Sequence, residues 1–282
     1  MVYFGPSGIS DEYVSQKLDI FKVVPKLKEL GLTAFEYPFT YGVNLSDEKA
    51  NALGKLFSEY DINLSVHAPY YINFATPELV NAQKSEEYII ASLNKMKLMG
   101  ANRLVFHPGS LTKQTREIAL KNTLSNLNNL KNVLIDKHLE NFYVCPETMG
   151  KHGQIGTYAE VAEMCKLYNN FIPTLDFGHI NSFTGGSLKT KEDFKKIFDL
   201  FINDLKKSEI HIHFSKIKYG EKGELTHLTF EDNEYGPEPE PMLEAIKDYK
   251  NVNFYIICES RGTQTQDALT MKKIYDKLLL TN

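Results

Sequence analysis

The chain has 282 residues, 42% of them apolar, with 32 Lys and Arg against 36 Asp and Glu and a formal net charge of −4. This length suits one α/β barrel or two smaller domains, and the charge balance counts against a protein that is basic all over, though not against a local basic groove. There is no apolar run of about 18 residues to span a membrane and no secretory signal in MVYFGPSGIS, and Cys145, Cys165 and Cys258 lack CxxC spacing, so a cytoplasmic protein with reduced thiols is expected.

Along the chain, short β-like runs alternate with longer helical ones. VYFGPS (2–7) reads as the first strand, and 19–30 carries apolar residues at helical spacing. LTAFEY (32–37) is the next strand and 47–60 the next helix. Strands follow at INLSVH (62–67), NRLVFH (102–107), NFYVCPE (141–147), FIPTLD (171–176), EIHIHF (209–214) and NFYIICE (253–259). Helical patterns separate them at 77–98, 115–137, 157–167, 191–206, 241–248 and 265–280. Such alternation implies a parallel sheet, and eight repeats in this length favour a single-domain (β/α)₈ TIM barrel over an open sheet. FGPSGIS is a poor substitute for GxGxxG, which counts against a dinucleotide fold.

Six of these strands end on a residue able to bind metal: His67, His107, Glu147, Asp176, His213 and Glu259. In a parallel barrel all six ends lie on the face where active sites are built. A carboxylate closing a strand is also a common N-cap for the next helix. Capping does not account for three histidines, and three clustered carboxylates would repel one another unless a cation joined them. Mixed imidazole and carboxylate donors suit Zn²⁺, with Mn²⁺ or Fe²⁺ as alternatives. Six donors exceed the needs of one four-coordinate ion, whereas two ions sharing a carboxylate would use them all, as in phosphoester displacement. His179, three residues after Asp176, and His227 could begin a third site. His211 lies one layer deeper than His213 on the same strand face, where it would support a ligand. Lys216 and Lys218 are candidate phosphate contacts.

The motifs SVHAPYYIN, VFHPGS, ETMGKHGQIG, LDFGHINS, HIHFSK and CES resemble, in order, the metal-binding motifs of the endonuclease IV family of apurinic/apyrimidinic (AP) endonucleases. The resemblance covers about residues 60 to 260. It implies a barrel holding three zinc ions that cleaves DNA 5′ to abasic sites, with duplex DNA as partner and a monomeric state. It assigns His67 and His107 to a first ion, Glu147 to the bridge, Asp176, His213 and Glu259 to a second ion, and His179 and His227 to a third. Tyr70 matches an aromatic residue lining the DNA pocket, and Glu147 would hold or orient the nucleophile. Two features depart from the pattern. The family pairs its last histidine with an Asp two residues earlier, but Leu225 stands there and Glu224 is the nearest surrogate, with Glu231 and Asp232 further off. The loop PFTYGVNLS offers Tyr41 where better-known members place a basic wedge.

A rival reading is a one-metal sugar isomerase or epimerase of the xylose isomerase-like barrels. Glu147, Asp176, His213 and Glu259 would suffice for it, whereas His67, His107, His179 and His227 would be superfluous.

Overall fold

The computed structural model describes residues 1–281 and contains the eight expected parallel strands. These are β1 Val2–Pro6, β2 Ala34–Pro38, β3 Asn63–His67 and β4 Arg103–Phe106. The second half supplies β5 Tyr143–Pro146, β6 Thr174–Asp176, β7 Glu209–Phe214 and β8 Asn253–Cys258. Hydrogen-bonded order runs β1-β8-β7-β6 in one half and β2-β3-β4-β5 in the other. Isolated parallel bridges close the ring, Ser7 to Glu36 between β1 and β2, and Val144 to Phe171 and Glu147 to Thr174 between β5 and β6. The first seam depends on Gly5, where a Cβ would stand 1.7 Å from the Ala34 carbonyl oxygen, so only glycine admits this approach.

The helices begin where local chemistry satisfies their first amides. Asp19, Ser46 and Thr115 each accept a backbone N–H from three residues on, and Thr157 with Glu160 and Thr190 with Asp193 form reciprocal capping boxes. Each such cap contributes about 1 kcal/mol to its helix. The apolar faces of these helices pack on the barrel's outer wall, and the last helix, Gln264–Leu280, returns to cover β1 and β8. At the opposite end from the strand-terminal histidines, buried Arg103 pairs with Glu209 at 2.6 Å and lies 3.3 Å from the Tyr255 ring centre. Among the described residues no helix is long and apolar enough to cross a membrane.

Two parts of the architecture differ from expectation. The stretch after β7 is an antiparallel hairpin, Lys216–Gly220 with Gly223–Leu228, so His227 sits on a strand rather than in a loop. A short helix, Phe177–Phe183, follows β6 directly and carries His179. The seven-residue helix is shorter than the window over which helical periodicity becomes visible, and the hairpin strands KIKYG and GELTHL lack the apolar run that marks the barrel strands.

Candidate metal centre

The other five strand-end residues gather around Glu147, whose carboxylate is fully buried just past β5. Its Oε2 lies 3.1 Å from His67 Nε2 and 3.1 Å from His107 Nε2. Its Oε1 lies 3.1 Å from His213 Nδ1 and 3.3 Å from His179 Nδ1. Strand register produces this, because β6 and β7 pair Asp176 directly with His213. Donor atoms of Glu147, Asp176, His213 and Glu259 all fall within 4.8 Å of one another.

Asp176 plays two parts. Its Oδ1 accepts the His179 backbone N–H at 2.7 Å, capping the helix Phe177–Phe183. Its Oδ2 is buried without an aligned hydrogen bond, although His179 Nδ1 stands 3.2 Å away. One oxygen therefore serves the helix and the other faces the cluster.

A third group lies beside the first two. His179 Nδ1 is 2.9 Å from the Thr148 carbonyl, which turns Nε2 toward Glu224 Oε2 at 3.4 Å. His227 Nδ1 faces Ser215 Oγ at 3.0 Å and the Glu259 carbonyl at 3.2 Å, and its Nε2 lies 3.8 Å from Glu224 Oε1. Leu225 is 61% exposed and plays no part in the group. Glu224, one residue earlier in the hairpin, is the carboxylate that stands beside both rings. The hairpin is clipped in place by Glu224 N donating to Gly150 O and His152 N donating to Lys222 O.

The electrostatics show a cluster that demands positive charge. Burial opposes ionisation of Glu147, but the imidazoles of His213 and His107 hold its carboxyl well below the usual range. Burial alone would lower the histidines, yet the hydrogen bond and charge of Glu147 raise His67 to about 9, and Asp176 with Glu147 raises His179 to about 10. His213 is likewise raised well above its ordinary value against burial, by Glu259, Glu36 and Glu147. Asp176 is raised by burial, only partly offset by His179. Protons on these rings and divalent cations are alternative ways to balance the same carboxylates. The donor set, the unpartnered Asp176 Oδ2 and the raised histidines all fit bound cations.

Not every candidate joins the site. Lys216 is buried away from the cleft lining, its ammonium donating to the Asp232 carbonyl at 2.7 Å and pairing with Glu238 at 2.6 Å. Lys218 is exposed on the hairpin and does not line the cleft. Tyr70 does line it, 55% exposed, with its ring centre 5.9 Å from that of His107 and 6.1 Å from that of Tyr41. The cleft holds about 580 Å³, and Lys151 is the one lysine or arginine among the described residues lining it. Neither Lys151 nor Glu36 was assigned a role from the sequence. Lys151 lies inside the motif ETMGKHGQIG, and Glu36 interrupts the apolar strand LTAFEY, so each left a signal.

Fold and site together define a (β/α)₈ barrel with a multi-residue imidazole and carboxylate centre at the C-terminal ends of its strands. Residues 24–276 match the family described as xylose isomerase-like TIM barrel, and the chain belongs to that family of enzymes. An uncharacterised protein of Methanocaldococcus jannaschii is 34% identical over 281 residues, spanning 99% of this chain and 98% of that protein. A "Probable endonuclease 4" of Thermosipho melanesiensis is 30% identical over 216 residues, 71% of this chain and 75% of that one. Among solved structures, a D-tagatose 3-epimerase-like protein is similar with a TM-score of 0.71 at 21% identity, covering 99% of this chain and 97% of that chain, a likeness of fold.

Proposed function

We propose that the protein is a metal-dependent phosphodiesterase that cleaves DNA 5′ to abasic sites. The observation carrying this reading is the division of labour at Glu147, with His67 and His107 on one oxygen and His213 on the other. A carboxylate flanked by two separate imidazole sets suits a bridge between two cations. His67, His107 and Glu147 would hold the first, Glu147, Asp176, His213 and Glu259 the second, and His179, Glu224 and His227 a third. Zn²⁺ matches these donors, and Mn²⁺ or Fe²⁺ would also fit. When bound, such ions supply Lewis acidity toward phosphate oxygens, a hydroxide near neutral pH and stabilisation of the leaving oxygen.

The chain's own groups would do the rest. Glu147, anchored by its N–H on the Phe106 carbonyl, would orient the attacking water. Lys151 would take a phosphate oxygen at the cleft's edge. Tyr70, beside His107 and Tyr41, would offer a ring face against the sugar or an adjoining base. An abasic nucleotide leaves the helix more cheaply than an intact one because it has no base to unstack, which gives selectivity a physical source.

The second reading, a one-ion sugar epimerase, is favoured by one observation: Glu147, Asp176, His213 and Glu259 already form a four-donor cluster. Elemental analysis of the purified protein separates the two. Two or three transition-metal ions per chain support the phosphodiesterase, and a single ion supports the epimerase.

A further inference from the structure

Three of the histidines share one anchoring scheme. His67 Nδ1 faces the Ala68 carbonyl at 2.9 Å, His179 Nδ1 the Thr148 carbonyl and His227 Nδ1 the Glu259 carbonyl, so each turns Nε2 toward a carboxylate of the centre. His213 is reversed. Its Nδ1 faces Glu147 and Glu259, at 3.1 and 3.5 Å, and its Nε2 points down the barrel to Glu36 Oε1 at 2.9 Å.

Glu36 sits inside β2, paired in register with Ser65 of β3, and is fully buried. Its Oε2 accepts the Ser65 hydroxyl at 2.9 Å and faces His211 Nε2 at 3.0 Å. An ionised carboxylate only accepts hydrogen bonds, so both rings must present Nε2–H to it. His213 is then left with a bare Nδ1 aimed at the centre once that nitrogen gives up its proton. The Glu36 to His213 contact is short but off-axis, leaving Oε1 and Nε2 without an aligned bond.

We infer that Glu36 is a positioning residue for His213: it fixes the tautomer and ring orientation of the one among these four histidines whose Nδ1 meets carboxylates with no backbone carbonyl beside it, with Ser65 and His211 holding its other oxygen. This rests on the metal-centre reading above. Carboxylate partners of this kind commonly change metal affinity by about 10- to 100-fold when removed.

The test is Glu36→Gln in the full-length protein, loaded with Zn²⁺ and titrated against a chromogenic chelator. A carboxamide turns an NH₂ toward one of the two rings, so one ring must change tautomer. The expected result is that one ion loosens about 10- to 100-fold while the ion held by His67 and His107 keeps its affinity, with the circular dichroism unchanged. Wild-type affinity for every ion in the variant overturns the inference. If the variant does not fold, ¹⁵N-imidazole spectra of zinc-loaded wild type decide: a proton retained on His213 Nε2 with Nδ1 metal-shifted supports it, and the opposite tautomer sinks it. Failure of the wild type to bind two ions overturns the metal-centre reading instead.

Discussion

Glu224 Oε2 stands 3.4 Å from His179 Nε2, on a hairpin that the barrel's own loops hold over the centre. Glu224→Ala removes the only carboxylate that reaches both His179 and His227 among the described residues. The expected outcome is selective loss or weakening of one ion, read by chelator competition, with the others retained. Leu225→Ala, at an exposed neighbouring position, leaves metal content unchanged. Equal behaviour of the two variants would show that Glu224 is not the third group's acid.

Gly223 makes that placement possible. Its φ is +89°, and a Cβ would lie 2.1 Å from the Gly150 carbonyl oxygen. Gly223→Ala combines backbone strain with a backbone clash, a local cost of about 1–3 kcal/mol or more. Hydrogen exchange of the hairpin amides should accelerate and the third ion should weaken, while exchange in β3 to β5 changes little. A hairpin protected as in the wild type would contradict this.

Lys151 is the one lysine or arginine among the described residues lining the cleft. Lys151→Met is expected to raise KM for an abasic duplex several-fold with little change in kcat, and to reduce the slope of log affinity against log salt by about one unit. Lys218→Met, outside the cleft, serves as the comparison. Equal effects from the two lysines would assign the contribution to diffuse charge.

Metal uptake should release protons. His67 at about 9 and His179 at about 10 are protonated at pH 7 without metal, and a ligating nitrogen must be bare. Affinity therefore rises with pH across the window from neutral to about 9–10. The same shifts set the stability of the metal-free protein. A folded-state pKa above the unfolded value of about 6.5 gives stability that is complete below that value and lost as pH rises through the folded pKa. Metal-stripped protein should thus lose thermal stability between pH 7 and 10 more steeply than loaded protein. Calorimetry in buffers of differing ionisation enthalpy counts the protons, and an uptake enthalpy independent of buffer would refute the assignment.

The strands and most helices were legible because each carries its own period. The strand ends at His67, His107, Glu147, Asp176, His213 and Glu259 were legible because each breaks an apolar run with a polar donor. Glu36 also interrupts an apolar run, but mid-strand rather than at its end, and its role depends on Ser65 and His211 from other strands, which the sequence alone does not bring together. The surroundings of Lys216 were hidden for a related reason. A lysine after a strand end looks solvated, and only the return of the 231–238 loop, bringing the Asp232 carbonyl and Glu238, buries it. At Asp176 one oxygen caps a helix and the other faces the carboxylate and imidazole cluster, a division that no sequence pattern could assign. Glu224 was visible only as a surrogate, because hairpin register, not sequence spacing, determines which acid meets His179.

The most direct test uses a DNA duplex with one abasic residue, incubated with the metal-loaded protein, with the chelated protein and with Glu147→Gln. Removing the shared carboxylate while keeping its shape should cost at least about 10²-fold in rate, the scale of losing a positioned acid–base group. Nicking 5′ to the abasic site is expected from loaded wild type, none from the chelated protein, and at least about 10²-fold slower nicking from the folded variant. Intact DNA under all three conditions, or cleavage that survives both the chelator and the Gln variant, contradicts this account.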